Sequence, residues 1–458
     1  MTARPILRAA GLVAALTLAV VAVPASAGHR RTADRLGQQA RPALVASWPV
    51  YHRDSLRSGD ATGIPRLGRL RRSWAARLDG AVYAEPLAVG GFLIVATEND
   101  TLYALDPLSG RVAWRRHLGT PVPLHTLPCG DIDPLGITGT PAYDRATGLV
   151  YLVAEVTGPA HVLFALDART GRVRWSRRVD VGFSAPIATQ QRAALAVGNG
   201  MVYFGFGGLD GDCGSYRGAV VGVPATGRGP TVAYEVPTAR EGAVWATAGP
   251  VLDAKGHVYA ATGNGAATGP PYDGTDSVVE LSARLQLLSR FAPASWAQDN
   301  ANDLDLGSTS PTLLPDGYVV AVGKNGSGYV LRQSALGGIG HPVSAGRLCA
   351  SFGGTAFVGT TVYVPCSDGL RAIAVTSKGR FRILWHTSSG ATGPPVVGGG
   401  AVWTVNTGTG VLDALAPGSG AVRASLAVGP VPHFVSPTLW GDRVFVGTSS
   451  GVVAAVGA

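Results

Sequence analysis

Apolar and polar positions between residues 91 and 119 fall into three short runs separated by two turns. Residues 92–98 are mostly apolar, 101–105 alternate polar with apolar, and 111–118 form a third run that carries Trp114. Asn99-Asp100 supplies the first turn. Asp106-Pro107-Leu108-Ser109-Gly110 supplies the second and ends in the glycine that a tight hairpin loop needs. The pattern predicts three antiparallel strands, a sheet too small to bury its own faces, so it must stack on others.

The rest of the chain supplies those others. The pattern recurs clearly at 148–179 and more loosely at 200–236, 256–291, 317–331, 360–388, 400–428 and 441–458. A short strand around a proline introduces most copies, at Pro86, Pro141, Pro186, Pro250, Pro311, Pro395 and Pro437, with Ala356 at that place in the sixth. This gives eight units of four strands, A to D, the last of which stops after its third strand. Residues 70–80, LRRSWAARLDG, are a surplus strand whose Trp74 resembles Trp114 and Trp175. The missing and surplus strands match if the array is circular. The fold expected is all-β, an eight-bladed β-propeller of four-stranded antiparallel blades, with the N-terminal strand joining the C-terminal blade. An open β-solenoid leaves both strands unexplained.

Strand parity puts the A–B and C–D turns on one face and the B–C and D–A connections on the other. The C–D turns are tight. The long insertions are D–A connections (119–138 and 291–308) and B–C connections (155–161, 206–218 and 264–276), all on one face. Long loops on a rigid scaffold are where binding residues concentrate. Four cysteines allow three pairings. Placement favours Cys129 with Cys213, on neighbouring blades within the long-loop group, and Cys349 with Cys366, flanking the start of blade six.

Composition refines this picture. Residues 1–27 read as a signal peptide: Arg4 and Arg8, an apolar run, then Ala25-Ser26-Ala27. Residues 28–46, rich in Arg and Gln, read as a flexible linker, and 47–458 as a single propeller domain. The mature protein is expected to be secreted or otherwise extracytoplasmic, monomeric, and without a membrane anchor. Sixty-four glycines and few charged residues suit many short strands joined by tight turns. The formal charge of +9 falls to +7 without Arg4 and Arg8. Its arginine excess lies on or beside predicted outer strands, where solvated edges account for it. An exported chain without a nucleic-acid motif is not expected to bind nucleic acid; attraction to an anionic wall polymer is consistent with the charge.

The long-loop face collects acids and amides, among them Asp131, Asp133, Asp210, Asp212, Asn264, Asp273, Asp276, Asp299, Asn300, Asp303 and Asp305. Such oxygen donors suit a hard cation such as calcium, although Asp and Asn also make turns. Gly447–Gly451 satisfies GxSxG but lies in a strand–turn–strand, not in a nucleophile elbow. The nine histidines show no zinc-like spacing. His52 reads as a structural contact of the N-terminal segment.

The repeated ALD-xxTG-xxxW unit resembles the pyrroloquinoline quinone (PQQ) repeat of the quinoprotein alcohol dehydrogenase-like propellers. That superfamily holds quinone-dependent dehydrogenases, which bind PQQ and calcium, and propellers that bind no quinone. The resemblance implies Asn264, ending VYAATGN, as a calcium and cofactor position. It implies Asp303 or Asp305 as the catalytic base of an enzyme oxidising an alcohol or polyol, with Asp303 also a metal ligand. Asp210 or Asp212 would stand for a glutamate ligand, and Trp245 for the tryptophan under the quinone. The chain departs from the enzymes where they carry adjacent cysteines followed by an arginine, having PCGDIDPLG instead, and it has no CxxCH haem site. The reading preferred is a propeller that binds a protein partner, a cell-wall polymer or a small ligand through its loop-rich face without catalysis. The alternative is a PQQ- and calcium-dependent dehydrogenase.

Overall fold

The computed structural model describes residues 47–457; the expected signal peptide (1–27) and linker (28–46) lie outside the described residues. Among them, eight small antiparallel sheets form the blades of a propeller. The first contains Leu87–Val89, Phe92–Thr97, Thr101–Leu105 and Val112–His117, paired in that order. In the last, Thr438–Trp440, Arg443–Gly447 and Val452–Gly457 are completed by Arg71–Arg77, antiparallel to the C-terminal strand, with Trp74 opposite Ala455. The inner strand Leu87–Val89 packs against Thr438–Trp440, so the ring closes through the strand that the sequence left over.

Burial follows strand position. Thr101–Leu105 is buried throughout because it has a sheet against each face, whereas Val112–His117 at the outer rim is mostly exposed. The C–D turns repeat one device. In the first blade, Asp106 accepts from the backbone N–H of Leu108 (2.9 Å) and Ser109 (2.8 Å), and Gly110 follows at φ +72°; Asp167 and Gly171 do the same in the second.

That glycine also seats the neighbouring blade. The Trp74 indole lies over Gly110, Trp114 over Gly171, Trp175 over Gly227 and Trp385 over Gly420; a Cβ at any of the four glycines would stand 2.5–2.6 Å from the ring. The indole N–H of Trp114 donates to the Ala168 carbonyl of the next blade at 3.2 Å, and that of Trp385 to Pro417 at 2.8 Å. Between blades five and six, where no tryptophan is present, the Tyr318 hydroxyl donates to Ser377 (3.0 Å) beside Gly379. The ALD-xxTG-xxxW repeat is therefore an inter-blade joint as well as a hairpin.

Two blades depart from the expected pattern. Pro186 does not introduce the inner strand of blade three. It starts a 3-10 turn, Pro186–Ala188, and the inner strand is Ala196–Gly198. In blade four, Gly338–Ile339 adds a short parallel edge beside Leu287–Ala292 before the chain returns as Ser344–Arg347, the outer strand of blade five.

Residues 47–61 cross the centre of the ring and tie its inner strands together. Trp48 pairs with Ala88 of blade one, and the Pro49 carbonyl accepts from Tyr143 of blade two. The carbonyls of Ser55, Ser58 and Gly59 accept from Leu252, Phe357 and Val397 of blades four, six and seven. The buried Arg57 guanidinium donates to Leu195 (2.9 Å) and Pro250 (3.1 Å), so its charge sits in a ring of carbonyls. His52, fully buried, bridges the Thr355 carbonyl (2.9 Å) and the Ser436 hydroxyl (3.0 Å). Burial lowers its pKa to about 3, so it is a neutral structural contact. Both expected disulfides form: Cys129–Cys213 and Cys349–Cys366.

Candidate functional site

Above this N-terminal segment the axis is lined by a recurrent position, the third residue before the proline of each inner strand. Tyr83, Thr138, Thr247 and Phe434 occupy it ahead of Pro86, Pro141, Pro250 and Pro437 and share one small void of about 10 Å³ with Glu85, Arg192 and Ser436. This void holds at most a single water. Two of the four are threonines, which leave room for the large Phe434 to reach across the axis.

Phe434 is held at φ +65°, a left-handed conformation that costs a bulky residue of order 1–3 kcal/mol and is retained where the surroundings dictate it. Its ring touches side chains from three other inter-blade connections. Phe352 is stacked on it with centroids 5.8 Å apart, Trp245 is tilted at 5.9 Å, and the Arg192 guanidinium lies 5.0 Å from its centroid. His433 adds a fourth ring at 5.9 Å. Arg192 is only 9 % exposed, and its Nε has no hydrogen-bond partner. A cleft of about 200 Å³ opens beside Phe434, lined by Phe352, Pro365, Thr392, Thr407 and His433.

Trp245 leads to the second half of the site. The Lys324 ammonium sits 5.5 Å from the Trp245 ring and 2.7 Å from a carboxylate oxygen of each of Asp303 and Asp305. Asp305 is fully buried; burial raises its pKa and Lys324 pulls it back, leaving it at about 6. Lys324 lies in the turn after Tyr318–Val322, the second strand of blade five, while Asp303 (φ +52°) and Asp305 follow the short helix Trp296–Ala301.

Most of the acids and amides singled out in the sequence brace loops. Asn300 accepts from Gly265 (2.8 Å) and donates to the Ala267 carbonyl (2.7 Å), locking insertion 264–276 to the helix. Asp276 accepts from Leu306 (2.9 Å), and Asp133 from Leu124 (3.1 Å). Asp210 is exposed on the rim, and the Asp212 carboxylate accepts the Tyr216 hydroxyl. Asn264 is half-buried, and its carbonyl accepts from Gly242 (2.7 Å). Trp245, Asp303 and Asp305 therefore come together, whereas Asp210 and Asp212 belong to a separate loop. Arg192, Lys324, Phe352 and Phe434 went unnoticed in the sequence because they lie in short connections. The signal for Phe434 was present: an aromatic residue three before an inner-strand proline, as at Tyr83.

These positions do not fit calcium and PQQ. The interval between Asp303 and Asp305 is filled by the Lys324 ammonium, and Asp212 is engaged by Tyr216. Among the described residues, no three His, Cys, Asp or Glu side chains are grouped to hold a metal ion. The cleft beside Phe434 is smaller than the roughly 300 Å³ where drug-sized ligand pockets begin.

Comparison with known proteins bears on the fold. A PQQ-repeat family model, described as outer membrane protein assembly factor BamB, matches residues 71–271. Quinohemoprotein alcohol dehydrogenase from Comamonas testosteroni superposes with a TM-score of 0.69 at 16 % identity, over 90 % of this chain and 80 % of that one. Residues 71–271 match the PQQ-repeat family, and the described chain has the β-propeller fold of its members. A europium-containing methanol dehydrogenase is similar over 90 % of this chain and 98 % of its own (TM-score 0.68, 16 % identity). BamB from Moraxella catarrhalis is similar over 85 % and 100 % (TM-score 0.58, 17 % identity). No curated protein matches this chain in sequence. At such identities the likeness is one of fold, shared by enzymes and an assembly factor alike. No helix among the described residues is long and apolar enough to cross a membrane.

Proposed function

We propose that this protein is an exported PQQ-repeat propeller that binds a ligand in the funnel of its loop-rich face without catalysing a reaction. The ligand is a small anion with an apolar body, or a group of that kind on a partner. One observation carries this reading: Arg192, nine-tenths buried with an unpartnered Nε, borders the small axial void and lies over the ring of Phe434, and Phe434 in turn lines a 200 Å³ cleft. A cation with spare donor capacity above an aromatic floor selects an acceptor group attached to an apolar body. The two disulfides support export, since such bonds persist in oxidising compartments.

The competing reading, a PQQ- and calcium-dependent dehydrogenase oxidising an alcohol or polyol, draws on the adjacency of Trp245 to Asp305, a carboxyl that titrates near 6. Calorimetric titration with benzoate and with neutral benzamide tests the binding reading. Saturable binding of benzoate that is absent for benzamide and lost in Arg192→Gln is expected. Equal affinity for both compounds, or none for benzoate, contradicts it.

A further inference from the structure

Closure of the ring does something to the outer surface that the linear sequence conceals. It sets the N-terminal strand Arg71–Arg77 (RRSWAAR) beside the outer strand Val112–His117 (VAWRRH) of blade one. That strand in turn lies beside Val173–Arg178 (VRWSRR) of blade two. These three outer strands hold eight arginines and no acid. The other five outer strands together hold four arginines and one glutamate. Of the eight, Arg174 pairs with Asp167 and Arg178 with Asp180. Several of the rest are pinned at blade junctions through backbone carbonyls. Arg116 donates to Gly171 (3.0 Å), Arg177 to Gly229 (2.7 Å) and Arg72 to Ala427 (2.9 Å).

The belt runs on into a groove. Residues 66–70 lie along the outer strand Val422–Ala427 of blade seven, and between them is a cleft of about 660 Å³. Arg66, Arg69 and Arg423 line it, and no acidic side chain does. Arg66 and Arg69 are exposed, and Arg423 is anchored to the Gly400 carbonyl at 2.6 Å.

We propose that this arginine belt, from the groove across blades eight, one and two, is a docking surface for an extended phosphodiester polymer of the cell envelope. Guanidinium groups match phosphate with paired N–H donors, and a row of them held at fixed junctions matches repeating charge better than a single ion. The shape separates a polymer from a lipid surface. Eight blades share a full turn, so neighbouring outer strands diverge by about 45°. A flat bilayer meets the belt at one blade, whereas a flexible chain follows it round. The surface is distinct from the loop-face funnel and does not depend on what the funnel binds.

Binding of the full chain to poly(glycerol phosphate) tests this, with phosphatidylglycerol vesicles and duplex DNA as the alternatives. Saturable polymer binding is expected, with log affinity falling against log salt by roughly 0.7 for each phosphate neutralised. Two double variants, Arg66→Ser/Arg69→Ser in the groove and Arg115→Ser/Arg116→Ser in the belt, should each weaken binding about tenfold and lower that slope by about 1.4. Arg347→Ser/Arg382→Ser, on the outer strands of blades five and six, should leave it unchanged. The proposal fails if the polymer does not bind, if vesicles or DNA bind more tightly than the polymer, or if the distant pair weakens binding as much as the belt pairs.

Discussion

Replacing Gly171 by alanine probes the joint that holds blade one to blade two. The residue sits at φ +66°, where a side chain costs about 1–2 kcal/mol. Its new Cβ would lie 2.5 Å from Cε3 of Trp114, about 1 Å inside the normal carbon–carbon contact of roughly 3.5 Å. The indole must retreat. Overpacking of this kind costs about 1–3 kcal/mol, and loss of the 3.2 Å bond to Ala168 adds about 1 kcal/mol. The expected destabilisation is therefore about 3–6 kcal/mol. Gly148 provides the control, since it has φ +70° in a similar turn but nothing within 4 Å of its would-be Cβ. Gly148→Ala should show only the backbone cost of about 1–2 kcal/mol. Urea unfolding followed by far-ultraviolet circular dichroism reads both. The joint is refuted if the two variants lose the same stability, because the tryptophan contact then contributes nothing.

Other expectations follow from buried charge and from covalent closure. Burial lifts Glu85, Glu98 and Asp276 to about 8 and Asp100 to about 9, so the native state keeps protons that the unfolded chain releases near pH 4. Burial alone would lower His161, but Glu155 and Asp180 more than offset it and raise it to about 9. Across pH 6.5–9 each of these groups is more protonated when folded, so stability falls as pH rises, by about 1.4 kcal/mol per pH unit for each excess proton. The melting temperature should drop steadily over that window; a flat or rising profile in a thermal scan counts against the buried carboxyls being protonated. Cys129→Ser/Cys213→Ser opens a link between residues 84 apart and should cost about 4–5 kcal/mol, against about 3 for Cys349→Ser/Cys366→Ser at 17 apart, as compared by denaturant midpoints. Removing residues before 81 takes away both the axial segment and the closing strand, and should give a protein that aggregates through the exposed edge of Val452–Gly457; a soluble product of unchanged stability contradicts closure.

The sequence revealed the repeat, and the repeat carries the fold. A hairpin with Asp and Gly at fixed places and a tryptophan on the outer strand is local, and so are the cysteines flanking blade six. Ring closure was legible for a different reason, since one strand was surplus and another missing. The axial segment was not legible. Asp60–Ala61 makes only a two-residue parallel bridge, and the other contacts of 47–61 are backbone bonds to blades far away in the chain, which leave no pattern. The site fared in the same way. Trp245 and Asp305 were visible as motif fragments. Lys324, which neutralises Asp305, and Phe434, which crosses the axis, meet them only because separate blades converge. The inner strand of blade three was misplaced at Pro186 because proline opens a 3-10 turn as readily as it precedes a strand.

Closure of the loop-face funnel to a quinone separates the proposed binding reading from the dehydrogenase alternative. Its most direct test is titration of the full chain with PQQ in excess calcium, followed by gel filtration and a dye-linked alcohol oxidation assay on the protein fraction. No quinone absorbance carried with the protein and no dye reduction are expected. A saturable one-to-one complex that reduces dye in the presence of alcohol would contradict it.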